Sequence, residues 1–127
     1  MFKGTFTALV TPYKEGKIDL EALRHLVDWQ IKEGIDGLVA CGSTGEAFFL
    51  SNPEQKQVIE TVLEVANKRV PVIAGTSALT LDETLALTQQ AEEISVNGSK
   101  VAGLMIVTPP YMKPTQAALY EYFKAIH

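Results

Sequence analysis

The feature that most constrains this chain is an alternation of two patterns. Short, almost unbroken apolar runs begin at Gly4, Gly37, Val70 and Gly103, about 33 residues apart, and a segment of helical periodicity follows each. Near-continuous apolar strands belong to parallel sheets that are covered on both faces. Parallel neighbours need a crossover, and a helix between the runs supplies one with right-handed connection. The pattern predicts four βα units in succession, an α/β chain forming a single domain over residues 1–127.

The helices carry their own punctuation. The first strand, Gly4–Val10, ends at Thr11-Pro12 because proline cannot donate to a ladder, and Tyr13 to Lys17 reads as a polar loop. Asp19 is the expected N-cap of the first helix, with Ile18 and Leu23 as a hydrophobic staple. Leu20, Leu23, Val27 and Ile31 form its apolar face, and Gly34 stops it. After the strand Gly37–Ala40, Ser51-Asn52-Pro53-Glu54 combines a capping box with a first-turn proline. Val58, Ile59, Val62, Leu63 and Ala66 give that helix its buried stripe, and Asn67 and Lys68 close it. The third strand is Val70–Thr76. Thr80 and Glu83 make a second capping box for a helix running to about Ile94, with Leu87, Ala91 and Ile94 inward. Residues 95–100 form a polar loop with an Asn97-Gly98 turn signal. The fourth strand, Gly103–Val107, leads through the rigid loop 108–114 to a last helix opened by Thr115. Ala118, Leu119, Tyr122, Phe123 and Ile126 lie on one side of that helix.

Composition narrows the function classes. The chain has 127 residues, 46% hydrophobic and 20% charged, with a net charge of −4. No Lys/Arg cluster is present, which argues against nucleic acid or an anionic membrane surface as partner. No apolar run approaches a membrane span, and the start lacks the design of a signal peptide. The single cysteine, Cys41, permits no internal disulfide, so the cytoplasm is the expected compartment. His25 and His127 are far apart in sequence, which argues against a His/Cys metal site, and no cofactor is expected.

Two architectures fit, a small doubly wound sheet or part of a (β/α)₈ barrel. The first βα loop, Thr11 to Gly16, has no G-x-G-x-x-G phosphate fingerprint. The chemically rich loops follow strands two, three and four: Gly42-Ser43-Thr44-Gly45-Glu46, Gly75-Thr76-Ser77 and Thr108 to Lys113. A barrel collects its active site from such strand ends, and a whole one takes about 250 residues, so the chain reads as four βα units, a half barrel. A doubly wound phosphate binder that uses residues 42–46 at a helix N-terminus is the alternative.

Four segments together resemble a known family: Ala8-Leu9-Val10-Thr11-Pro12, Gly42-Ser43-Thr44-Gly45-Glu46, Pro71 to Thr76, and Val107 to Gln116. They are similar to the dihydrodipicolinate synthase and N-acetylneuraminate lyase family, pyruvate-dependent class I aldolases built as TIM barrels. The resemblance runs through the chain in order and implies the N-terminal half of such a barrel. The stretch Lys113-Pro114-Thr115-Gln116 is closer to the synthase branch. The resemblance implies condensation of pyruvate with aspartate-semialdehyde in diaminopimelate and lysine biosynthesis, by a homo-oligomer (dimer or tetramer). It places Ser43 and Thr44 on the carboxylate of pyruvate. It also gives Ser43 and Tyr111 a place in a proton relay, with Tyr111 reaching a neighbouring subunit's site. Ser43 stands where the synthases usually have threonine and the lyases serine, and Pro110 replaces a more common tyrosine. A lyase acting on N-acetylneuraminate or a similar sugar acid is therefore the near alternative.

The chemistry of such an enzyme also needs a lysine in an apolar site, where its amine can form a Schiff base. None is expected here: Lys14, Lys17, Lys100 and Lys113 fall in polar loops, and Lys32, Lys56, Lys68 and Lys124 in helices or at their ends. By the resemblance that lysine sits on a later strand. The chain alone is then expected to be inactive, and a non-catalytic half barrel that self-associates is the second reading. Glu46 is expected to fix its loop by accepting backbone N–H bonds, Cys41 to be a small buried side chain, and His25 to face solvent or be a satisfied polar residue.

Overall fold

A computed structural model describes residues 2–127. Four parallel strands form one sheet: β1 (Phe6–Ala8), β4 (Gly37–Ala40), β5 (Val72–Gly75) and β6 (Gly103–Met105). Between β1 and β4 lie a hairpin, β2 (Tyr13–Lys14) with β3 (Lys17–Ile18), and helix α1 (Leu20–Lys32). Helices α2 (Asn52–Ala66), α3 (Leu81–Glu93) and α4 (Gln116–Ile126) follow β4, β5 and β6. The sheet order β1-β4-β5-β6 follows the chain without reversal. A doubly wound sheet reverses its order at a switch point, whereas a barrel adds each strand beside the last. The fold is therefore four βα units of a (β/α)₈ barrel, and the doubly wound alternative falls.

The registers place Ala8 opposite Val39, Val39 opposite Ile73, and Ile73 opposite Gly103. Helix-side strand residues Leu38, Ala40, Val72 and Ala74 pack with Leu23 and Val27 of α1 and with Val58, Ile59, Val62 and Leu63 of α2. The opposite face, which would look into a barrel, is only partly covered: Val10 and Met105 are exposed and Ile73 half-buried.

The caps work as their chemistry demands. Asp19 accepts from the Ala22 N–H at 2.9 Å, and Glu54 accepts from the Ser51 N–H at 2.8 Å. Thr80 accepts from the Glu83 N–H at 3.2 Å and donates its hydroxyl to the Glu83 carboxylate at 2.9 Å. Gly34 sits at φ 89, and Asn97 and Gly98 at φ 51 and 72 turn the chain between Val96 and Ser99. Three expectations need correction. Strands one, three and four are shorter than their apolar runs, because ladder pairing stops before the hydrophobicity does. Residues 13–17 are not a plain loop: Glu15 and Gly16, both at positive φ, fold a two-residue hairpin turn, so Lys14 and Lys17 lie in short exposed strands. The apolar side of α4 is real in sequence, yet none of its residues is buried.

Candidate functional site

The loop after β4 is a compact double turn. Ser43–Gly45 and Ala47–Phe49 each form one turn of 3₁₀-helix, joined by Glu46 in the left-handed conformation at φ 55. Cys41, at the strand end, is also left-handed at φ 55. Two such residues within six, neither of them glycine, are conformations that surrounding contacts must enforce.

Three neighbours supply those contacts. Gly75 comes so close that a Cβ there would run into the Cys41 carbonyl oxygen, so the loop rests directly on bare β5 backbone. The buried Thr11 hydroxyl, from the end of the first unit's strand segment, donates to the Gly45 carbonyl at 2.7 Å. Gln55, buried on α2, donates its amide to the Ala47 carbonyl at 3.0 Å. The Gln55 backbone carbonyl accepts from the Cys41 thiol at 3.7 Å. Burial pushes that thiol up to about 12, so Cys41 is a neutral packing group at ordinary pH. Thr11 and Gly75 fall within the segments that carry the family resemblance, whereas Gln55 has no local signal, since a polar residue on a helix reads as solvent-facing.

With its back fixed, the loop presents Ser43 and Thr44 outward, both exposed. The Gly45 and Glu46 N–H groups are used inside the turn, donating to Gly42 and Ser43 carbonyls at 3.0 Å each. The N–H groups and hydroxyls of Ser43 and Thr44 find no partner among the described residues, which leaves two amide donors and two hydroxyls side by side. Glu46 departs from expectation. Its carboxylate is exposed and takes no hydrogen bond among the described residues, and its backbone holds the loop instead, accepting from the Phe49 N–H at 2.9 Å. That carboxylate and Glu54 help raise the pKa of Tyr13, after the larger effect of desolvation.

Ser43 lines a narrow cleft with Gly42, Gly75, Ser77, Met105 and Val107, so the ends of β4, β5 and β6 meet there. Its volume, about 10 Å³, suits a single small group. A much larger cavity of about 710 Å³ lies elsewhere, along the open face of α4 beside Tyr120 and Phe123, and has no chemistry convergent on it. Tyr111 does not join the cleft. It is wholly exposed at φ 63, on the loop after β6, and the structure does not bring its phenol to Ser43. Among the described residues the loop's one tie near the cleft is a 2.8 Å bond from the Val107 N–H to the Ser77 hydroxyl oxygen, which sequence reasoning did not single out.

All nine lysines are exposed, so none sits in the apolar surroundings a Schiff-base amine needs. Among the described residues no group of three His, Cys, Asp or Glu side chains could hold a metal, and no helix is long and apolar enough to cross a membrane. His25 is exposed and lies 3.3 Å from Glu21.

Comparison with known proteins places this geometry. The sequence model of the dihydrodipicolinate synthetase family matches residues 1–127. The 4-hydroxy-tetrahydrodipicolinate synthase of Thermodesulfovibrio yellowstonii is 48% identical over 126 residues, 99% of this chain and 42% of the relative. That of Trichlorobacter lovleyi is 49% identical over the same shares. Among solved structures, the chloride-inhibited dihydrodipicolinate synthase of Acinetobacter baumannii complexed with pyruvate superposes with a TM-score of 0.91 at 43% identity. It is matched over 99% of this chain and 42% of its own. The synthase of Aquifex aeolicus gives 0.89 at 41% identity, over 98% and 41%. The chain thus spans about two-fifths of the length of the relatives it matches, in sequence and in structure alike. Over that span, by its whole length and by its strand order, it belongs to the dihydrodipicolinate synthetase family.

Proposed function

We propose that these residues form the carboxylate-binding part of a pyruvate-dependent synthase site. In the complete enzyme, pyruvate would condense with L-aspartate-4-semialdehyde to give 4-hydroxy-tetrahydrodipicolinate. The observation that carries the reading is the Ser43–Thr44 turn, whose two amide N–H groups and two hydroxyls stand unclaimed at a strand's C-terminal end. That is the face on which barrel enzymes build their sites. A carboxylate has two oxygens, each able to accept two hydrogen bonds, which matches this donor set. The relatives it matches are synthases rather than lyases, and that of Acinetobacter baumannii was solved with pyruvate.

In this reading Ser43 and Thr44 orient the ketoacid, and the Ser43 hydroxyl passes a proton in concert with the Tyr111 phenol. Because Tyr111 is wholly exposed and away from Ser43 in its own chain, it would serve the site of a neighbouring copy. That makes a homo-oligomer part of the proposal, along with residence in the cytoplasm. The amine that forms the Schiff base is not among these 127 residues, since every lysine here is exposed.

The test has two arms. Pyruvate added to the ¹⁵N-labelled chain is expected to shift the Ser43 and Thr44 amides and leave α1 amides in place; unmoved Ser43 and Thr44 amides would refute the cradle. Borohydride reduction in the presence of pyruvate is expected to leave the intact mass unchanged. A stable adduct on any lysine would overturn the statement that the nucleophile lies elsewhere.

A further inference from the structure

We propose that Ser77 is a further positioning residue of this site, setting the course of the segment that carries Tyr111. The proposal rests on the pyruvate reading for its meaning, but its geometry stands alone. Gly75 pairs with Met105, and the Thr76 N–H donates to the Met105 carbonyl at 3.2 Å. In a regular parallel ladder the next rung would run from the Val107 N–H back to the Thr76 carbonyl. Here Val107 donates to the Ser77 Oγ at 2.8 Å instead. A side chain takes the place of a backbone carbonyl, so the ladder ends without an orphaned donor and the 106–111 segment can leave the plane of the sheet.

Alternation along the strand explains why residue 77 can do this. Thr76 turns toward the helices, where its hydroxyl lies 3.0 Å from that of Thr88 on α3. The next side chain must point the other way. Ser77 accordingly lines the cleft with Ser43, Met105 and Val107. Its Oγ accepts from Val107, so that bond does not use the hydroxyl proton. One small residue therefore borders the loop that presents Ser43 and fixes the start of the loop that presents Tyr111. Alanine or glycine at 77 would keep the space and lose the bond.

Hydrogen exchange and NMR on the 127-residue chain test this with Ser77→Ala and Ser77→Thr. In the wild type the Val107 amide is expected to exchange slowly for an exposed residue. In Ser77→Ala it should exchange about tenfold faster, with Tyr111 resonances displaced and those of Val62 unchanged. Threonine keeps the hydroxyl and should restore both, a rescue that general loosening of the fold would not give. Fast exchange of Val107 in the wild type, or Val107 and Tyr111 signals indifferent to alanine, would overturn the proposal even if one variant folds poorly. Pyruvate titration of the same samples keeps the two readings apart. If Ser43 and Thr44 ignore pyruvate in the wild type, the cradle fails while the exchange data still decide the role of Ser77.

Discussion

Helix α2 buries seven of its residues, among them Val58, Ile59, Val62 and Leu63, whereas α4, with as clear an apolar side, buries none. The strand-end loops that precede them differ in the same way. The loop 41–50 is held by Thr11, Gln55 and the bare backbone of Gly75, and the loop 106–115 by little beyond Ser77 near the cleft. The first region is complete within this chain. The second has an apolar helix face, a wholly exposed Tyr111 and an exposed Met112 that its own chain does not cover. Residues proposed to bind the small, invariant part of the substrate sit in the finished region. The residue proposed to act across a subunit boundary sits in the unfinished one.

The largest expected effect measures that contrast directly. Leu63 is 2% exposed within the α1–α2–sheet core, and Leu63→Ala should cost about 2–5 kcal/mol. Leu119, half-buried at the open cavity along α4, should cost less than about 1 kcal/mol on the same change, since little packing is lost. Urea unfolding of the two variants decides it. Equal costs would mean that α4 is packed in solution by something its own chain does not provide, such as a second copy, and concentration-dependent unfolding of the wild type would identify that case.

The next effect is a pH dependence peculiar to the tight loop. The Cys41 thiol has its pKa raised by burial from 9.0 to about 12, so the folded state favours the neutral thiol. The stability this contributes is fully present below pH 9 and is lost as pH rises toward 12. Over that window the native state should lose about 4 kcal/mol relative to a chain without the thiol. Cys41→Ala should start less stable, because the cavity it leaves is buried, and then show a flatter alkaline limb. Iodoacetamide and intact mass give the companion measurement: no alkylation of the native chain at pH 8, and rapid alkylation in urea. Ready native alkylation would show that the loop opens and is not the rigid half of the comparison.

How much of this was legible beforehand follows from the range of each signal. The helix boundaries were readable because Asp19, Ser51 with Glu54, and Thr80 with Glu83 act within one turn of themselves. The four βα units were readable because burial on both faces writes itself as continuous apolar runs. The hairpin at Glu15-Gly16 was missed because a polar stretch between a proline and a helix cap looks like any loop, although a residue-glycine pair is the common chemistry of a two-residue turn. Gln55 and Ser77 were illegible for another reason: each acts on a partner distant in sequence, eight residues away for Gln55 and thirty for Ser77. Glu46 was misassigned because sequence names a carboxylate but not whether side chain or backbone does the holding. The bareness of α4 could not be read at all, since periodicity announces an apolar face and says nothing of what covers it.

The smallest effect comes from one substitution made at two places. Cys41 and Tyr111 are both left-handed, at φ 55 and φ 63, and each conformation costs an L-residue about 1–2 kcal/mol that glycine would not incur. At Tyr111 nothing else is at stake for folding, because the side chain is wholly exposed. Tyr111→Gly should therefore stabilise the chain by a few tenths to about 1 kcal/mol, after part of the gain is lost to glycine's greater unfolded-state entropy. Tyr111→Phe should leave stability within about 0.5 kcal/mol. At Cys41 the same relief of strain is outweighed, because glycine also removes a buried side chain and its contacts, and Cys41→Gly should destabilise. Opposite signs at two equally left-handed positions would establish that strain in the loop 41–50 is held by packing, while strain at Tyr111 is retained for something other than the stability of this chain. A destabilising Tyr111→Gly would instead mean that the tyrosine side chain already has a docking place in solution, most simply in another copy.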